Sequence, residues 1–480
     1  MRLVMAASGG PSRWPTLLSV VALVLAGPAA PSSAIDRDRA AEHLAAAIRF
    51  RTVSHQDPSE DDRAQFAGLR AFLARTYPKV HRSLVRELVN GDGLLYTWKG
   101  ADASAKPVLL MAHQDVVPVE PGTEATWAHP PFDGVIADGF VWGRGALDDK
   151  ASLVFLMEAV ESLLAEGFRP RQTVYLASGF DEEVGGLEGA ARIAALLTER
   201  GVRLDYVLDE GRFVSQDVVP GVREPVASIG IAEKGYVSVE LVAETEGGHS
   251  SRPPPETAIG LLAAAIDRLQ RHPMPARLRG APRREMQALA PYMPFGKRLM
   301  LSNLWLFEPL VVRSLEKTPT TNALVRTTTA PTIFQSGVKE NVLPSKARAM
   351  VNFRILPGES IESVLTHVRQ VVADDRIEVG KIERMTSEPS PESSTASPAY
   401  HLLERTIREL FPNAVPAPGL VLGGTDSRHF AAVADDVYRF MPFRVGPQDL
   451  TRFHGTDERF EIEQIETAVE FYRRILRAQL

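Results

Sequence analysis

The sequence contains no cysteine. This absence excludes disulfide bonds, thiolate metal ligands and a cysteine nucleophile. A metal must therefore be held by histidine and carboxylate groups, which suit Zn²⁺, Mn²⁺ or Co²⁺. Two hydrolase signatures are also missing. No serine lies in a Gly-x-Ser-x-Gly segment, which argues against a serine hydrolase of that type. No His-Glu-x-x-His segment is present, which argues against a helix-based single-zinc protease.

The chain has no excess of positive charge and little that departs from an ordinary globular composition. Its 54 Lys and Arg stand against 60 Asp and Glu, a net charge of −6. This balance predicts neither nucleic acid nor an anionic membrane as a partner. With 44% hydrophobic and 24% charged residues, the composition is that of a soluble globular protein. The length of 480 residues is too great for one ordinary domain and fits two.

The sequence has no long apolar run of the kind that crosses a membrane comfortably. A short apolar run at the N-terminus, Leu17 to Ala26, follows the basic residues Arg2 and Arg13 and precedes small residues ending at Ala34. This pattern predicts a signal peptide over residues 1–34 and an exported protein, periplasmic or secreted. The alternatives are an uncleaved anchor and an N-terminal tail.

Apolar strands and amphipathic helices alternate from residue 35 to 232, which predicts an α/β catalytic domain with a mostly parallel sheet. Polar residues directly follow three of the predicted strands: His113, the Asp181 to Glu183 cluster, and Asp209. The carboxyl ends of parallel strands meet at one edge of a sheet and form the usual ligand site. We therefore expect these side chains to face one crevice.

The pattern changes near Glu233. The segments Tyr236 to Ala243 and Ala347 to Ile355 alternate like half-buried strands, and helical patterns cover Thr257 to Gln270 and Ile361 to Ala373. This predicts an inserted α+β lid or dimerisation domain over residues 233–386. Residues 387–480 then return to the catalytic domain.

Four clusters carry the candidate chemistry, and each has an ordinary explanation when taken alone. The pair Asp148-Asp149 suits the start of a helix, and the acids around Glu182 and Glu210 suit solvated loops. Together the clusters favour a metal site, because packed carboxylates must be neutralised by protons or cations. Two cations about 3.5–4 Å apart require a bridging carboxylate, terminal ligands and a shared water. One further carboxylate must stay free to take the proton of that water.

Six stretches of the chain carry a resemblance to a known family: His113 to Val119, Gly143 to Lys150, Gly179 to Gly186, Val207 to Gly211, Gly248 to Ser251 and His454 to Glu458. With these motifs the chain resembles the dizinc exopeptidases and amidohydrolases, which include carboxypeptidase S, aminoacylase, carnosinase, acetylornithine deacetylase and succinyl-diaminopimelate desuccinylase. Within that family it most resembles carboxypeptidase S and the secreted N-fatty-acyl-amino-acid hydrolases.

The resemblance implies two Zn²⁺ ions per subunit, with Co²⁺ or Mn²⁺ as alternatives. It implies that Asp148 bridges them, and that His113 and Asp209 complete one metal. It also implies that Glu183 and His454 complete the other metal and that Glu182 is the general base and acid. Asp115 would hold the His113 ring. His249 of the inserted domain would donate to the oxyanion, in the same chain or across a dimer.

The substrate carboxylate needs a cation or backbone donors. Arg354, Asn341 and the loop that contains Gly423, Gly424 and Thr425 correspond to family positions for this contact. The sequence departs from the family at Gly424, where relatives such as carboxypeptidase S usually carry Asn. This departure concerns the details of substrate contact rather than the chemistry. A surface salt bridge is the ordinary alternative for Arg354.

The function implied by the resemblance is hydrolysis of an amide bond in a small substrate with a free carboxylate, at the C-terminal residue of a short peptide. The alternative on the same site is an N-acyl amino acid, and a more remote one is a non-catalytic metal- or peptide-binding protein. Apolar residues within Met274 to Leu315 fit either an acyl-chain pocket or the core and dimer contacts of the lid. The partners expected are the substrate and a second copy of the chain, with no nucleic acid and no membrane span.

Overall fold

The predicted alternation of strands and helices is present in the computed structural model, which describes residues 35–478. The predicted signal peptide, residues 1–34, lies outside the described residues. Between residues 35 and 478, no helix combines the length and apolar character needed to cross a bilayer.

Several helices begin at polar caps that the sequence supplies. The side chains of Asp36, Asp62 and Thr257 each accept a hydrogen bond from a backbone N–H of the first turn that follows. Within the described residues the α-helices are α1 (Arg37–Ile48), α2 (Arg63–Thr76), α3 (Pro78–Ser83), α4 (Lys150–Ala165), α5 (Ala190–Glu199), α6 (Ala258–Arg271), α7 (Gly280–Leu289), α8 (Phe295–Ser302), α9 (Leu304–Leu315), α10 (Pro319–Val325), α11 (Ile361–Val372), α12 (Pro398–Leu410) and α13 (Ile465–Arg477).

The strands divide among four sheets. In chain order they are β1 (Val85–Val89), β2 (Gly93–Trp98), β3 (Val108–Met111), β4 (Val135–Ala137), β5 (Phe140–Trp142), β6 (Val174–Ser178), β7 (Leu204–Asp209), β8 (Val214–Ser215), β9 (Val226–Glu233), β10 (Gly235–Glu244), β11 (Gly248–His249), β12 (Thr328–Ser336), β13 (Val342–Leu343), β14 (Lys346–Ile355), β15 (Ile377–Ser387), β16 (Val415–Val421), β17 (Ala434–Arg439), β18 (Arg444–Val445) and β19 (Arg459–Glu461).

The largest sheet has the order β1-β2-β6-β3-β7-β17-β9-β8-β18, and β16 pairs with β9. Its centre, β6-β3-β7-β17, is parallel. Every residue of β3 is buried, as expected for a parallel strand that is covered on both faces. The predicted α/β fold with a mostly parallel sheet is therefore confirmed.

A second sheet, β12-β14-β10-β15, is antiparallel and lies between residues 235 and 387 in the sequence. Strand β14 alternates between exposed and buried positions, and its buried side chains pack with α6 and α11 in one hydrophobic cluster. The two edge strands, β12 and β15, were not expected from the sequence. Most of their side chains are exposed or half-buried, so their apolar residues do not alternate regularly.

Residues 35–480 form one compact unit, which contains both the largest sheet and the second sheet. The boundaries at residues 233 and 386 therefore stay a prediction. The strand ends of the parallel sheet and the residues of the second sheet therefore belong to the same unit.

Candidate metal centre and active site

The carboxyl ends of three neighbouring parallel strands supply most of the site. Strand β3 runs into His113, β6 runs into Glu182 and Glu183, and β7 runs into Asp209 and Glu210. The loop before α4 adds Asp148. The parallel order β6-β3-β7 brings these segments to one edge of the sheet, as the sequence predicts.

Asp148 lies between two histidine rings. Its Oδ1 is 2.9 Å from His113 Nε2, and its Oδ2 is 3.2 Å from His454 Nε2. The same His454 nitrogen is 3.2 Å from Glu183 Oε2. A single carboxylate thus faces a different imidazole with each of its oxygens. This is the arrangement expected of a ligand shared between two cations.

The His113 ring is held from behind by Asp115. The ring Nδ1 is 2.9 Å from the Asp115 carbonyl oxygen and 3.4 Å from its Oδ1. The buried Asp115 carboxylate also accepts hydrogen bonds from Ser54 Oγ at 2.6 Å and from the backbone N–H groups of Glu182 and Glu183 at 3.2 and 3.1 Å. Asp115 therefore fixes both the ring orientation and the backbone that carries two of the acidic residues.

Strand β7 ends in two adjacent acids, Asp209 and Glu210. Glu210 Oε1 lies 3.8 Å from His113 Nε2, and ligand atoms of His113, Glu182 and Glu210 lie within 4.8 Å of one another. Asp209 is not in either group of candidate ligands found among residues 35–478. Its Oδ2 accepts a hydrogen bond of 2.8 Å from the backbone N–H of Ser427. Burial raises the pKa of Asp209, and the nearby His113 acts in the opposite direction, so Asp209 shares the electrostatic environment of the cluster.

Glu458 organises the loop that carries Asp148, a role that the sequence did not reveal. Its Oε1 accepts hydrogen bonds from the backbone N–H groups of Gly145, Leu147 and Asp148 at 3.0, 2.7 and 3.1 Å. Its Oε2 accepts a hydrogen bond of 2.6 Å from Arg144. The side chain is fully buried. The His454 to Glu458 motif thus supplies both a ring beside Asp148 and the anchor of the Asp148 loop.

The electrostatics of the cluster favour a bound cation. Burial raises the pKa of Glu182 and of Glu210, and neighbouring carboxylates raise both further. Hydrogen bonds to Asp148 and Glu183 raise the pKa of His454 to about 10. Burial opposes ionisation of Asp148, but hydrogen bonds from His113 and His454 hold its pKa below the usual range.

The donor set also fits a metal chemically. Three ligand atoms of His113, Asp148 and Glu183 lie within 4.8 Å of one another. Glu183 Oε1 is buried and has no hydrogen-bond partner. Imidazole and carboxylate donors at this spacing suit Zn²⁺, Mn²⁺ or Co²⁺.

A family comparison agrees with this geometry. The model of the peptidase family M20/M25/M40 matches residues 109–478. The chain belongs to this family. The predicted resemblance is thereby confirmed, and the chain is an M20-family hydrolase.

Two relatives and one solved structure illustrate the similarity. The chain is 41% identical to a probable carboxypeptidase S-like 2 of Dictyostelium discoideum over 91% of this chain and 84% of the relative. It is 41% identical to the N-fatty-acyl-amino acid synthase/hydrolase PM20D1 of Bos taurus over 92% of this chain and 89% of the relative. The fold is similar to that of an M20 family metallo-carboxypeptidase, Sso-CP2 from Sulfolobus solfataricus, with a TM-score of 0.68 and 19% identity over 91% of this chain and 98% of that one.

Two residues predicted for the site, His249 and Asn341, lie away from the acidic cluster. His249 and Asn341 lie on the two-stranded ribbon β11-β13 and next to it, and both are exposed. His249 Nδ1 accepts a hydrogen bond of 3.1 Å from the backbone N–H of Ser251. Among residues 35–478, neither side chain forms a hydrogen bond or ion pair with the acidic cluster. The structure therefore does not bring these two predicted residues to the candidate metal centre.

Arg354 lies closer to the acidic cluster. It is opposite Tyr236 in the β10-β14 register, and its Cζ is 4.7 Å from the centre of the Tyr236 ring. Burial lowers the pKa of Arg354, and the Arg428 guanidinium lowers it further, whereas the carboxylate of Glu182 acts in the opposite direction. Arg354, Arg428 and Glu182 thus share one electrostatic environment.

The loop after β16 is anchored through Thr425 and shaped by Arg428. The backbone N–H and the hydroxyl of Thr425 both donate to Glu233 Oε2 at 3.0 Å, and the buried Arg439 donates to the same oxygen at 3.0 Å. Arg428 Nη2 donates a hydrogen bond of 2.6 Å to the carbonyl oxygen of Gly185.

The departure at Gly424 has a steric explanation in this loop. A Cβ atom at Gly424 would lie 2.5 Å from Arg428 Nη1, whereas a Cβ at Gly423 would meet nothing within 4 Å. Glycine at position 424 therefore leaves space for the Arg428 guanidinium. Glycine in place of the asparagine of relatives did not by itself indicate that Arg428 fills the space beside position 424.

Proposed function

We propose that this M20-family hydrolase cleaves an amide bond beside a free carboxylate in a small substrate, and that it holds two divalent metal ions around Asp148. The observation that carries the proposal is the position of the Asp148 carboxylate, with one oxygen 2.9 Å from His113 and the other 3.2 Å from His454. Zn²⁺ is the expected metal, with Co²⁺ or Mn²⁺ as alternatives.

In the proposed ligand set, Asp148 is shared, His113 and Glu210 lie on one side, and Glu183 and His454 lie on the other. We place Glu210 where Asp209 was first expected, because Glu210 Oε1 lies 3.8 Å from His113 Nε2. Bound divalent metals supply Lewis acidity, which makes water more acidic and polarises a carbonyl group. The crowding of buried carboxylates supports this assignment, since cations offset their mutual repulsion.

Glu182 acts as the general base and acid in this proposal. Its carboxylate is close to His113 and Glu210, and burial raises its pKa. A carboxylate with a raised pKa takes a proton from water and returns it to the leaving amine more readily than an ordinary one. Asp115 positions Glu182 and Glu183 through their backbone N–H groups.

Two guanidinium groups are available for the substrate carboxylate. Arg354 comes from the second sheet, and Arg428 comes from the loop after β16; both interact with the charge of Glu182. Guanidinium groups bind carboxylates through paired N–H donors. We assign substrate-carboxylate binding to this pair, with backbone donors of Gly423 and Gly424 beside them. Thr425 serves as the anchor of the loop, because Glu233 already accepts its hydroxyl and backbone N–H.

Two substrate classes fit this site. The first is a short peptide that is cleaved at its C-terminal residue, in line with the carboxypeptidase S-like relative. The second is an N-acyl amino acid, in line with the 41% identity to an N-fatty-acyl-amino acid synthase/hydrolase. Both present an amide carbonyl next to a residue with a free carboxylate, so the same machinery serves either one.

Three further features belong to this proposal. Residues 1–34 act as a signal for export. Residues 233–386 form a lid or dimerisation domain, which brings His249 and Asn341 over the metal centre in the same chain or in a second copy. In that position His249 donates a hydrogen bond to the oxyanion of the tetrahedral intermediate. The exposed position of the β11-β13 ribbon supports a role that requires movement or a partner chain.

A kinetic panel tests the proposed function. The metal-depleted chain is assayed with Zn²⁺, Co²⁺ or Mn²⁺ on dipeptides and on N-acyl amino acids of short and long chain, each beside its C-terminal carboxamide. We expect metal-dependent hydrolysis of at least one class and a strong preference for the free carboxylate. Hydrolysis that is independent of metal, or equal rates on acids and carboxamides, would overturn the proposal.

A further inference from the structure

Helices α8 and α9 display large apolar side chains to water. The exposed fractions are 71% for Phe295, 47% for Leu299, 80% for Trp305, 56% for Leu306 and 59% for Leu310. The three other tryptophans of the described residues are almost fully buried. A cluster of exposed apolar side chains of this size marks an interaction surface. We call it the α8–α9 surface.

Helix α9 packs against the core with one side, so the exposed apolar side chains on its other side are not needed for that packing. Leu304 and Val311 are buried, and they pack in a hydrophobic cluster with Leu301 of α8. Trp305, Leu306 and Leu310 project from the opposite side of the same helix, at helical spacing. The core side is therefore satisfied, and the outer apolar side is available to a partner.

The charges around this surface are mainly positive. Residues 295–317 contain Lys297, Arg298, Arg313 and Lys317, and all four are exposed. The only acids in that segment are Glu308 and Glu316, and each is paired with an arginine from outside it, Arg283 and Arg326. The net charge of −6 conceals this local excess, because residues 273–326 hold nine Lys and Arg against three Glu.

We propose that the α8–α9 surface docks onto an anionic lipid surface. Phe295, Trp305 and Leu306 would enter the boundary between headgroups and acyl chains, and the four exposed cations would contact lipid phosphates. A second copy of the chain fits less well. A symmetric contact would bring the same cations of both copies together, and like charges at an interface oppose association.

Binding to vesicles tests this inference with a chain that begins at Ile35. Residues 35–480 form a unit of their own, and this chain lacks the apolar run of the N-terminus. Vesicles of phosphatidylcholine with phosphatidylglycerol are compared with vesicles of phosphatidylcholine alone in a cosedimentation assay. We expect binding to the anionic vesicles and about tenfold weaker binding to the neutral ones. Because Trp305 is the exposed tryptophan, a blue shift of the fluorescence should accompany binding.

Two double variants separate the contributions of charge and apolar contact. Arg298→Gln with Arg313→Gln should weaken binding about tenfold or more, and so should Leu306→Ser with Leu310→Ser. The matched control is Val338→Ser, which removes an apolar side chain that is 94% exposed and lies outside this surface. Hydrolysis of a water-soluble substrate and the thermal melt should be unchanged in all three variants, which shows that the fold is retained.

The outcomes that would overturn the inference are distinct. Failure of the unmodified chain to bind anionic vesicles would overturn it. Binding by both double variants as strong as that of the unmodified chain would also overturn it. A concentration-dependent dimer that is lost in the Leu306→Ser and Leu310→Ser variant would identify the surface as a contact between copies instead. The result does not depend on which amide the site cleaves, so the proposed function stands or falls separately.

Discussion

The two sides of the active site differ in how far they are assembled. On the parallel sheet, His113, Asp148, Glu183 and His454 contact one another, and Asp115 and Glu458 hold their backbone in place. On and beside the β11-β13 ribbon, His249 and Asn341 are exposed, and among residues 35–478 their side chains form no hydrogen bond or ion pair with that cluster. In our proposal, the first side is prepared for metal before substrate arrives, whereas the second side closes over the substrate or comes from another chain.

This difference has a physical basis. Metal ligation and proton transfer require fixed charges at short distances, and buried hydrogen bonds provide that order in advance. Substrate entry requires an open path, so residues that contact only the bound substrate benefit from lying on an element that moves. We call the side with His113, Asp148, Glu183 and His454 the prepared side, and the side with His249 and Asn341 the unassembled side. Substitutions on the two sides should have different effects.

The largest effect is expected from Glu182→Gln on the prepared side. Removing the general base should lower kcat by about 10³- to 10⁴-fold without changing the metal content. Metal analysis and steady-state kinetics measure the two quantities on the same preparation. Glu188→Gln is the matched control, since Glu188 lies on the same loop but pairs with Arg192 and Asn90. An active Glu182→Gln variant would remove Glu182 from the mechanism.

His249→Ala tests the unassembled side. Loss of an oxyanion donor should lower kcat by about 10²- to 10³-fold and leave KM and metal content nearly unchanged. Mixing this variant with the Glu182→Gln variant then distinguishes the two arrangements. Recovery of activity in the mixture shows that His249 acts across a dimer, and no recovery shows that it acts within its own chain. Full activity of His249→Ala would show that the β11-β13 ribbon does not complete the site.

The pair Asp209 and Glu210 sharpens the description of the prepared side. Glu210→Gln should weaken the binding of one of the two metals about 100-fold, because a charged ligand is lost. Asp209→Asn should retain both metals, since Asp209 Oδ2 already accepts a hydrogen bond from the backbone N–H of Ser427. Titration with Zn²⁺ followed by metal counting measures the difference. The opposite result would restore the ligand set first expected from the sequence.

A smaller effect is expected from Gly424→Asn. The new side chain would collide with Arg428, whose Nη1 lies 2.5 Å from the position of its Cβ. We expect kcat/KM for the free acid to fall about tenfold, with little change for the matching carboxamide. Gly423→Ala is the control, because its Cβ meets nothing within 4 Å. Equal losses on the acid and the carboxamide would mean that Arg428 does not bind the substrate carboxylate.

The smallest effect concerns stability without metal. Burial raises the pKa of Glu182, Glu210 and Asp149 in the folded chain. Above a pH of about 4.5 the folded chain therefore keeps protons on these carboxyl groups that the unfolded chain has lost. Because the folded chain binds more protons, its free energy of unfolding falls as the pH rises. The Tm of the metal-depleted protein should fall by about 5 °C between pH 5 and pH 8. Added Zn²⁺ should remove most of that dependence, and a Tm that rises over the same range would contradict the account.

The sequence predicted most of the fold and much of the prepared side. Apolar strands that end in His113 or Glu182 are local patterns, and their parallel order follows from the alternation with helices. The short distance from Glu210 to His113 could not be predicted, because it depends on the direction of one side chain at the end of the strand. The roles of Glu458 and Arg428 depend on contacts with residues more than 200 positions away in the sequence, Gly145 and Gly185.

The central claim is that Asp148 is shared between two metal ions. Anomalous X-ray scattering from crystals grown with Zn²⁺ tests it most directly. The account predicts two peaks about 3.5–4 Å apart on either side of the Asp148 carboxylate, with His113 and Glu210 at one peak and Glu183 and His454 at the other. A single peak, or two peaks that do not share Asp148, would contradict it.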